Sequence, residues 1–180
     1  MDIPSLLSTK ERARLLSYIL AHPGAEIAPD RVAKEVRVSR SQAHKYAGIL
    51  RHEGLLKGKR LQETLQVRAL RALLNADALE RAGVAGILRR RFPKASGIGI
   101  FGSWAFGTNA EGSDLDIWIK METAPSDLEM ARAKKEISEK MSAPVDIVAA
   151  TPKRMAAFRE KSDAFYFSLY NGQVLWGDGL

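Results

Sequence analysis

Residues 101–119 read F-G-S-W-A-F-G-T-N-A-E-G-S-D-L-D-I-W-I, which places a glycine turn shortly before two carboxylates. The alternating pattern around Asp114 and Asp116 predicts a β-strand, because successive side chains of a strand point to opposite faces of a sheet. Both carboxylates should then share one face, while Leu115 and Ile117 pack on the other. Adjacent carboxylates repel each other unless a cation lies between them, and hard oxygen ligands of this kind suit Mg²⁺.

The segment before the carboxylates predicts a backbone site for phosphate. Residues 97–101 read as a short buried strand that ends in a turn at Gly102 and Ser103. Glycine lets the backbone approach a ligand closely, and free N–H groups at a turn or a helix start bind anions. The whole stretch therefore predicts a site for a metal ion together with a triphosphate.

This stretch closely resembles the nucleotidyltransferase superfamily that includes DNA polymerase beta, and in particular the minimal nucleotidyltransferases of the MNT type. The family signature is Gly-Ser, ten residues and then Asp-x-Asp. Gly102-Ser103 followed by Asp114-Leu115-Asp116 matches that spacing without a gap. The family also has a third carboxylate on a later strand, and Asp146, in the apolar run 143–149, is the candidate for it.

The resemblance implies a reaction and a role for each of these residues. An acceptor hydroxyl would attack the α-phosphate of a nucleoside triphosphate, expected to be ATP, and pyrophosphate would leave. Two Mg²⁺ ions bound by the catalytic residues Asp114, Asp116 and Asp146 would steady the attacking and leaving oxygens. Gly102 and Ser103 would hold the β- and γ-phosphates.

One position departs from the family pattern. Many members carry a basic residue just before the second glycine of the turn, where this chain has Phe106 before Gly107. Loss of that cation would weaken triphosphate binding or change the preferred nucleotide. It also leaves open a site that binds nucleotide without turnover.

The charge of the chain differs between its two halves. Residues 1–95 hold 19 Lys and Arg against 9 Asp and Glu, a net charge of +10, whereas residues 96–180 hold 9 against 12, a net charge of −3. A basic half joined to a mildly acidic half is typical of a nucleic-acid-binding module fused to a carboxylate-based catalytic module.

The composition also indicates the cellular compartment in which the protein is expected. The chain has no cysteine, which excludes disulfide and cysteine–zinc scaffolds and fits a reducing cytoplasm. Its apolar runs are far shorter than a membrane span, and residues 1–4 do not begin a signal peptide. We expect a cytoplasmic protein that has no contact with a membrane.

Residues 1–70 are predicted to form a winged helix-turn-helix domain. Helices are expected at about 9–21, at 31–36 with Asp30 as cap, and at 40–53, and the last two are separated by a tight turn. Residues 55–57 and 65–68 alternate as the two strands of a basic wing. The alternatives are a solvated charged face or a protein–protein module. Contacts with duplex DNA are expected from Arg40, Ser41, His44, Lys45, Lys57, Lys59 and Arg60.

Residues 71–180 are predicted to hold a helical connector and the nucleotidyltransferase domain, so that the whole chain has an α+β fold with a mixed sheet and flanking helices. The connector is expected at 69–74, followed by a helix at 78–91 that Asp77 caps. Ser126 is expected to cap a helix that runs to about Met141.

Three functions stay open at this point. The leading one is a metal-dependent nucleotidyltransferase. Minimal members often act as antitoxins that transfer AMP to a HEPN-type toxin, and a DNA-binding domain would let such a protein regulate its own operon. Aminoglycoside-modifying relatives make a small-molecule acceptor the enzymatic alternative. The third is a transcription regulator whose second domain only senses nucleotide or forms a homodimer interface.

Overall fold

The computed structural model describes residues 6–110, 112–161 and 164–180, so the first five residues of the predicted N-terminal domain lie outside the described residues. It divides into two compact units, Met1–Arg71 and Ala72–Leu180. No helix in the described part of the chain is both long and apolar enough to cross a membrane.

The N-terminal unit contains helices followed by a short antiparallel hairpin in which Leu56 lies opposite Leu61. This is the element order of a winged helix, which remains a prediction for this unit. A long helix, α4, contains the boundary between the two units. The elements are α1 Lys10–Ala21, α2 Pro29–Val36, α3 Arg40–His52, β1 Leu56–Lys57, β2 Arg60–Leu61 and α4 Leu65–Ala82.

Two expectations for this unit are wrong. Residues 65–68 are the first turn of α4 and not the second wing strand, because Thr64 Oγ1 accepts a hydrogen bond from the Val67 N–H at 3.3 Å and starts a helix there. The strand that pairs with β1 is Arg60–Leu61 instead. Asp30 is not the cap of α2, which begins one residue earlier at Pro29, a residue that has no N–H to satisfy.

The predicted connector and the helix after it are also different from expectation. Asp77 lies inside the continuous helix α4 and forms an ion pair with Arg81 one turn later, at 2.9 Å. The helical path is interrupted at Gly83, whose φ of +67° suits glycine, and α5 starts after it.

The C-terminal unit is built on a four-stranded mixed sheet in the order β5-β4-β3-β6. β4 and β5 are parallel, whereas β3 runs antiparallel to both of its neighbours. The α+β class with flanking helices is thus confirmed. The elements are α5 Val84–Arg91, β3 Gly97–Phe101, α6 Gly102–Phe106, β4 Leu115–Lys120, α7 Asp127–Met141, β5 Val145–Ala150, α8 Pro152–Glu160, α9 Ala164–Tyr170 and β6 Gln173–Gly177.

Alternate residues of the central strands separate into two hydrophobic clusters, one on each face. Ile117 belongs to the larger cluster, which includes residues of α5 and α7, and Trp118 belongs to the smaller one with Phe101, Val148 and Leu169. Gly99 of β3 leaves room for the buried indole of Trp118, because a methyl group at Gly99 would overlap it.

Helix α7 forms as predicted and fixes the position of residues used below. Ser126 and Glu129 form a reciprocal capping box at its start. Ala133 and Ile137 are fully buried in the larger cluster, so this side of α7 faces the sheet.

Candidate active site

Two of the predicted carboxylates lie side by side on neighbouring strands. Asp116 of β4 is in register with Asp146 of β5 in the parallel pair. Residues in register on neighbouring strands point to the same face, and the strands are about 4.8 Å apart. Asp114 directly precedes β4, two positions before Asp116, and is exposed to solvent. The fold therefore brings the three carboxylates to one end of the sheet.

The electrostatics of Asp116 show how close these charges are. Burial raises the pKa of Asp116, and the negative charges of Asp146 and Asp114 raise it further. A carboxylate that is both partly buried and next to two others is held in its charged form only at a cost. A cation bound among the three would remove that cost.

The predicted phosphate turn adjoins this carboxylate. Phe101, the last residue of β3, lies opposite Asp116, and the chain then enters α6 at Gly102 and Ser103. Gly102 has φ +65°, and a methyl group on it would overlap Oδ2 of Asp116. Glycine is therefore required here both for its backbone conformation and for the close approach of the carboxylate.

Polar side chains from distant parts of the unit fix α6. Asn75 Nδ2 donates to the Trp104 carbonyl at 2.8 Å and to Asn109 Oδ1 at 2.9 Å. Gln173 Nε2 donates to the Ala105 carbonyl at 2.8 Å. The sequence analysis missed both residues, because a lone amide in a helix or a strand carries no local signal of the partner it will meet. Together they anchor the helix that follows the glycine turn.

Phe106, the residue that replaces the family's basic side chain, ends α6 and is 49% exposed. Its ring is therefore not part of either hydrophobic cluster. An aromatic surface is therefore exposed close to the predicted phosphate turn.

A lysine that the sequence analysis did not single out reaches the third carboxylate. Lys134 Nζ donates to Asp146 Oδ1 at 2.6 Å. Its only signal in the sequence is a charged position on an amphipathic helix, which is common on solvated surfaces. The contact depends on how α7 packs beside β5.

The carboxylates are candidate ligands for a divalent metal ion but do not form a closed cage. Within the described part of the chain, no group of three or more His, Cys, Asp or Glu side chains is arranged so that it could hold a metal ion. Mg²⁺ commonly uses one or two carboxylates and completes its shell with waters and substrate phosphates. The negative charges of Asp114 and Asp146 beside Asp116 supply the complementary charge for such an ion.

The residues predicted to contact DNA are exposed on the N-terminal unit, but several of them have acidic neighbours. Asp30 Oδ1 is 3.3 Å from His44 Nε2 and 3.9 Å from Arg40 Nε. Lys59 Nζ is 2.9 Å from Glu26 Oε1. The other predicted contacts have no ion pair with a described residue: Ser41, Lys45, Lys57 and Arg60.

Residues 82–170, which include the glycine turn and all three carboxylates, match the model of a family described as nucleotidyltransferase domain. No curated protein sequence matches the chain.

Solved structures that resemble the chain include three toxin–antitoxin assemblies. A tri-AMPylated Shewanella oneidensis HEPN toxin in complex with an MNT antitoxin is 19% identical over 59% of this chain and 73% of that chain, with a TM-score of 0.40. A mutant MntA–HpeT toxin–antitoxin is 20% identical over 53% of this chain and 72% of that chain, with a TM-score of 0.44. A toxin–antitoxin with AMP-PNP is 21% identical over 58% of this chain and 74% of that chain, with a TM-score of 0.42.

Proposed function

We propose, from the match of residues 82–170 to the nucleotidyltransferase domain family, that this chain transfers AMP from ATP to an acceptor hydroxyl in a Mg²⁺-dependent reaction. The observation that carries the proposal is the register of Asp116 with Asp146 next to Gly102. It brings the oxygens that we propose bind the metal and the turn that we propose binds phosphate to one end of one sheet.

The roles follow from the chemistry of the residues. Asp114, Asp116 and Asp146 would hold Mg²⁺, which when bound neutralises phosphate charge and makes the acceptor hydroxyl more acidic. The N–H groups at Gly102 and Ser103 would hold the β- and γ-phosphates. The hydroxyl oxygen forms a bond to the α-phosphorus, the bond from that phosphorus to the bridging oxygen breaks, and pyrophosphate leaves with the electron pair. We assign the proton of the hydroxyl to the carboxylate of Asp146.

We further propose that the acceptor is a hydroxyl on a partner protein. Asp114 is exposed, and 52% of the side-chain surface of Asp146 is open to solvent. An open site of this kind admits a macromolecule that brings its own surface. The minimal nucleotidyltransferases that the sequence resembles often act on HEPN-type toxins, so a HEPN-type protein is the partner proposed here.

The test is a transfer assay with ATP labelled in its α-phosphate, Mg²⁺ and the protein encoded beside this one. The expected result is release of pyrophosphate and a mass increase of the partner by one AMP, both lost in Asp114→Asn. Adenylylation of a small molecule in place of the partner would contradict the proposed acceptor. Nucleotide binding without pyrophosphate release would support the regulator that only senses nucleotide.

A second proposal concerns the N-terminal unit, which we propose binds duplex DNA. Lys45, Lys57 and Arg60 are exposed and form no ion pair with a described residue, so they are open to phosphates. Binding would then be mainly electrostatic and would weaken steeply with salt. Such binding would allow the protein to regulate its own expression.

A further inference from the structure

Lys134 reaches the carboxylate face from a helix that packs on the opposite face of the sheet. Its neighbour Ala133 is buried with Ile147 in the larger cluster, whereas Asp146 shares the alternate face with Val148 of the smaller cluster. Because β5 is at the edge of the sheet, the lysine side chain passes around that edge to meet Asp146. A long flexible side chain is needed for this path.

The lysine also matters for the charge of the site. Asp114, Asp116 and Asp146 together bring three negative charges to one end of the sheet. Among the described residues, Lys134 is the only cation that forms an ion pair with any of them. The side chain of Lys134 is 37% exposed, so the pair lies partly out of water and is screened less than a fully exposed pair.

We propose that Lys134 is an internal counter-cation of Asp146 that competes with the divalent metal, and this inference rests on the proposed function. The ammonium, at 2.6 Å from Oδ1, occupies one of the two oxygens that Asp146 can offer to a metal ion. A divalent ion at the same carboxylate is repelled by the ammonium, so the ion pair with Lys134 and metal binding at Asp146 oppose each other.

The competition has a measurable consequence. Lys134 stabilises the metal-free site and lowers its affinity for a metal ion on its own. Removing the positive charge should tighten metal binding about threefold to tenfold, the range expected for a partly exposed ion pair next to a divalent ion.

The experiment uses the full chain and Mn²⁺ alone, which prefers the same oxygen ligands as Mg²⁺ and is counted by the paramagnetic resonance of the free ion. The variants are Lys134→Gln, which removes the charge, and Lys134→Arg, which keeps it. The matched control is Lys135→Gln, which removes a lysine of the same helix. The side chain of Lys135 is 79% exposed, and its Nζ lies 4.0 Å from Glu139 Oε1. Asp146→Asn reports whether this carboxylate binds the metal.

Lys134→Gln is expected to bind Mn²⁺ about threefold to tenfold more tightly than the wild type, with Lys134→Arg and Lys135→Gln within twofold of it. Equal affinities for Lys134→Gln and Lys135→Gln, or weaker binding by Lys134→Gln, would overturn the inference and leave the proposed function standing. Unchanged Mn²⁺ binding by Asp146→Asn would also overturn the inference, and Asp114 and Asp116 would then remain the proposed metal ligands. If the wild type binds no Mn²⁺, the inference and the proposed metal site both fail.

Discussion

Asp116 and Asp146 lie directly opposite each other in the parallel pair of β4 and β5. The two residues come from strands that the whole of α7 separates in the chain, and neither belongs to the hydrophobic clusters. Their side chains are therefore not part of the hydrophobic core, while the backbones around them hold the sheet together. The site and the core of this unit should respond to different substitutions.

Asp116→Asn should lower the rate of Mg²⁺-dependent pyrophosphate release about 100-fold or more, or by about 3 kcal/mol in activation free energy, because a charged metal ligand becomes neutral. The fold should persist, which circular dichroism checks. Glu122→Gln is the control, since Glu122 is an exposed carboxylate just beyond the other end of β4. Full turnover by Asp116→Asn would remove this residue from the site.

The same variant should be more stable than the wild type when no divalent metal is present. Burial and the charges of Asp146 and Asp114 raise the pKa of Asp116, so at pH 7 ionisation of this group favours the unfolded chain. That cost is fully present above the raised folded pKa and disappears as the pH falls toward the unfolded value of about 3.9.

Melting temperatures measured in a chelator should therefore show Asp116→Asn above the wild type at pH 7, with the gap closing near pH 4. Equal melting temperatures at pH 7 would mean that the three carboxylates do not repel one another. Adding Mg²⁺ should raise the melting temperature of the wild type more than that of the variant, because only the wild type keeps all three ligands.

Gly102→Ala and Gly83→Ala separate backbone strain from the geometry of the site. The two glycines have similar φ angles, +65° and +67°, so alanine should cost about 1 kcal/mol of stability at each. Only at Gly102 does the new methyl group also overlap the Asp116 carboxylate, whereas Gly83 has open space. Calorimetry with ATP and Mg²⁺ should show weakened nucleotide binding for Gly102→Ala alone. Equal binding by the two variants would place the phosphates elsewhere.

Gly99→Ala should destabilise the protein by about 1–3 kcal/mol, because its methyl group overlaps the buried indole of Trp118 and the chain must shift. Gly86→Ala provides the opposite control. Gly86 lies inside α5 with nothing near its missing Cβ, so alanine there should stabilise the helix by about 0.5–1 kcal/mol. Urea unfolding measures both changes, and a neutral Gly99→Ala would show that this face of the sheet is loosely packed.

The paired change Lys57→Gln and Arg60→Gln should lower the slope of log affinity for DNA against log salt by about two, since each residue would contribute one phosphate contact in the proposed complex. Lys59→Gln should have a smaller effect, because Glu26 already pairs with Lys59. The probe is a duplex from upstream of the gene, and Lys153→Gln on the C-terminal unit is the control. If the wild type binds no DNA at low salt, the N-terminal unit is better explained as a protein interface.

Local sequence pattern was enough to predict the strands of Asp116 and Asp146 and the turn at Gly102, because alternation and glycine act over a few residues. Residues 65–68 were misread for the same reason, since four alternating residues fit either a strand or the first turn of a helix. Lys134 and Gln173 could not be found this way. Their partners, Asp146 and Ala105, are set by how a helix and an edge strand pack, and periodicity contains no information on such distant contacts.

Strand β6 pairs with β3, and Gln173 at its start donates a hydrogen bond to the Ala105 carbonyl of α6, the helix that begins at the glycine turn. β6 is also the last of the four strands of this sheet in chain order. During synthesis, β3 therefore stays at an open edge, and its turn lacks this anchor, until residues 173–177 have left the ribosome. Domains fold as units once their contacts are complete. A nascent chain should then gain transfer activity only when translation has passed β6, so that the timing of translation also sets when the enzyme becomes active.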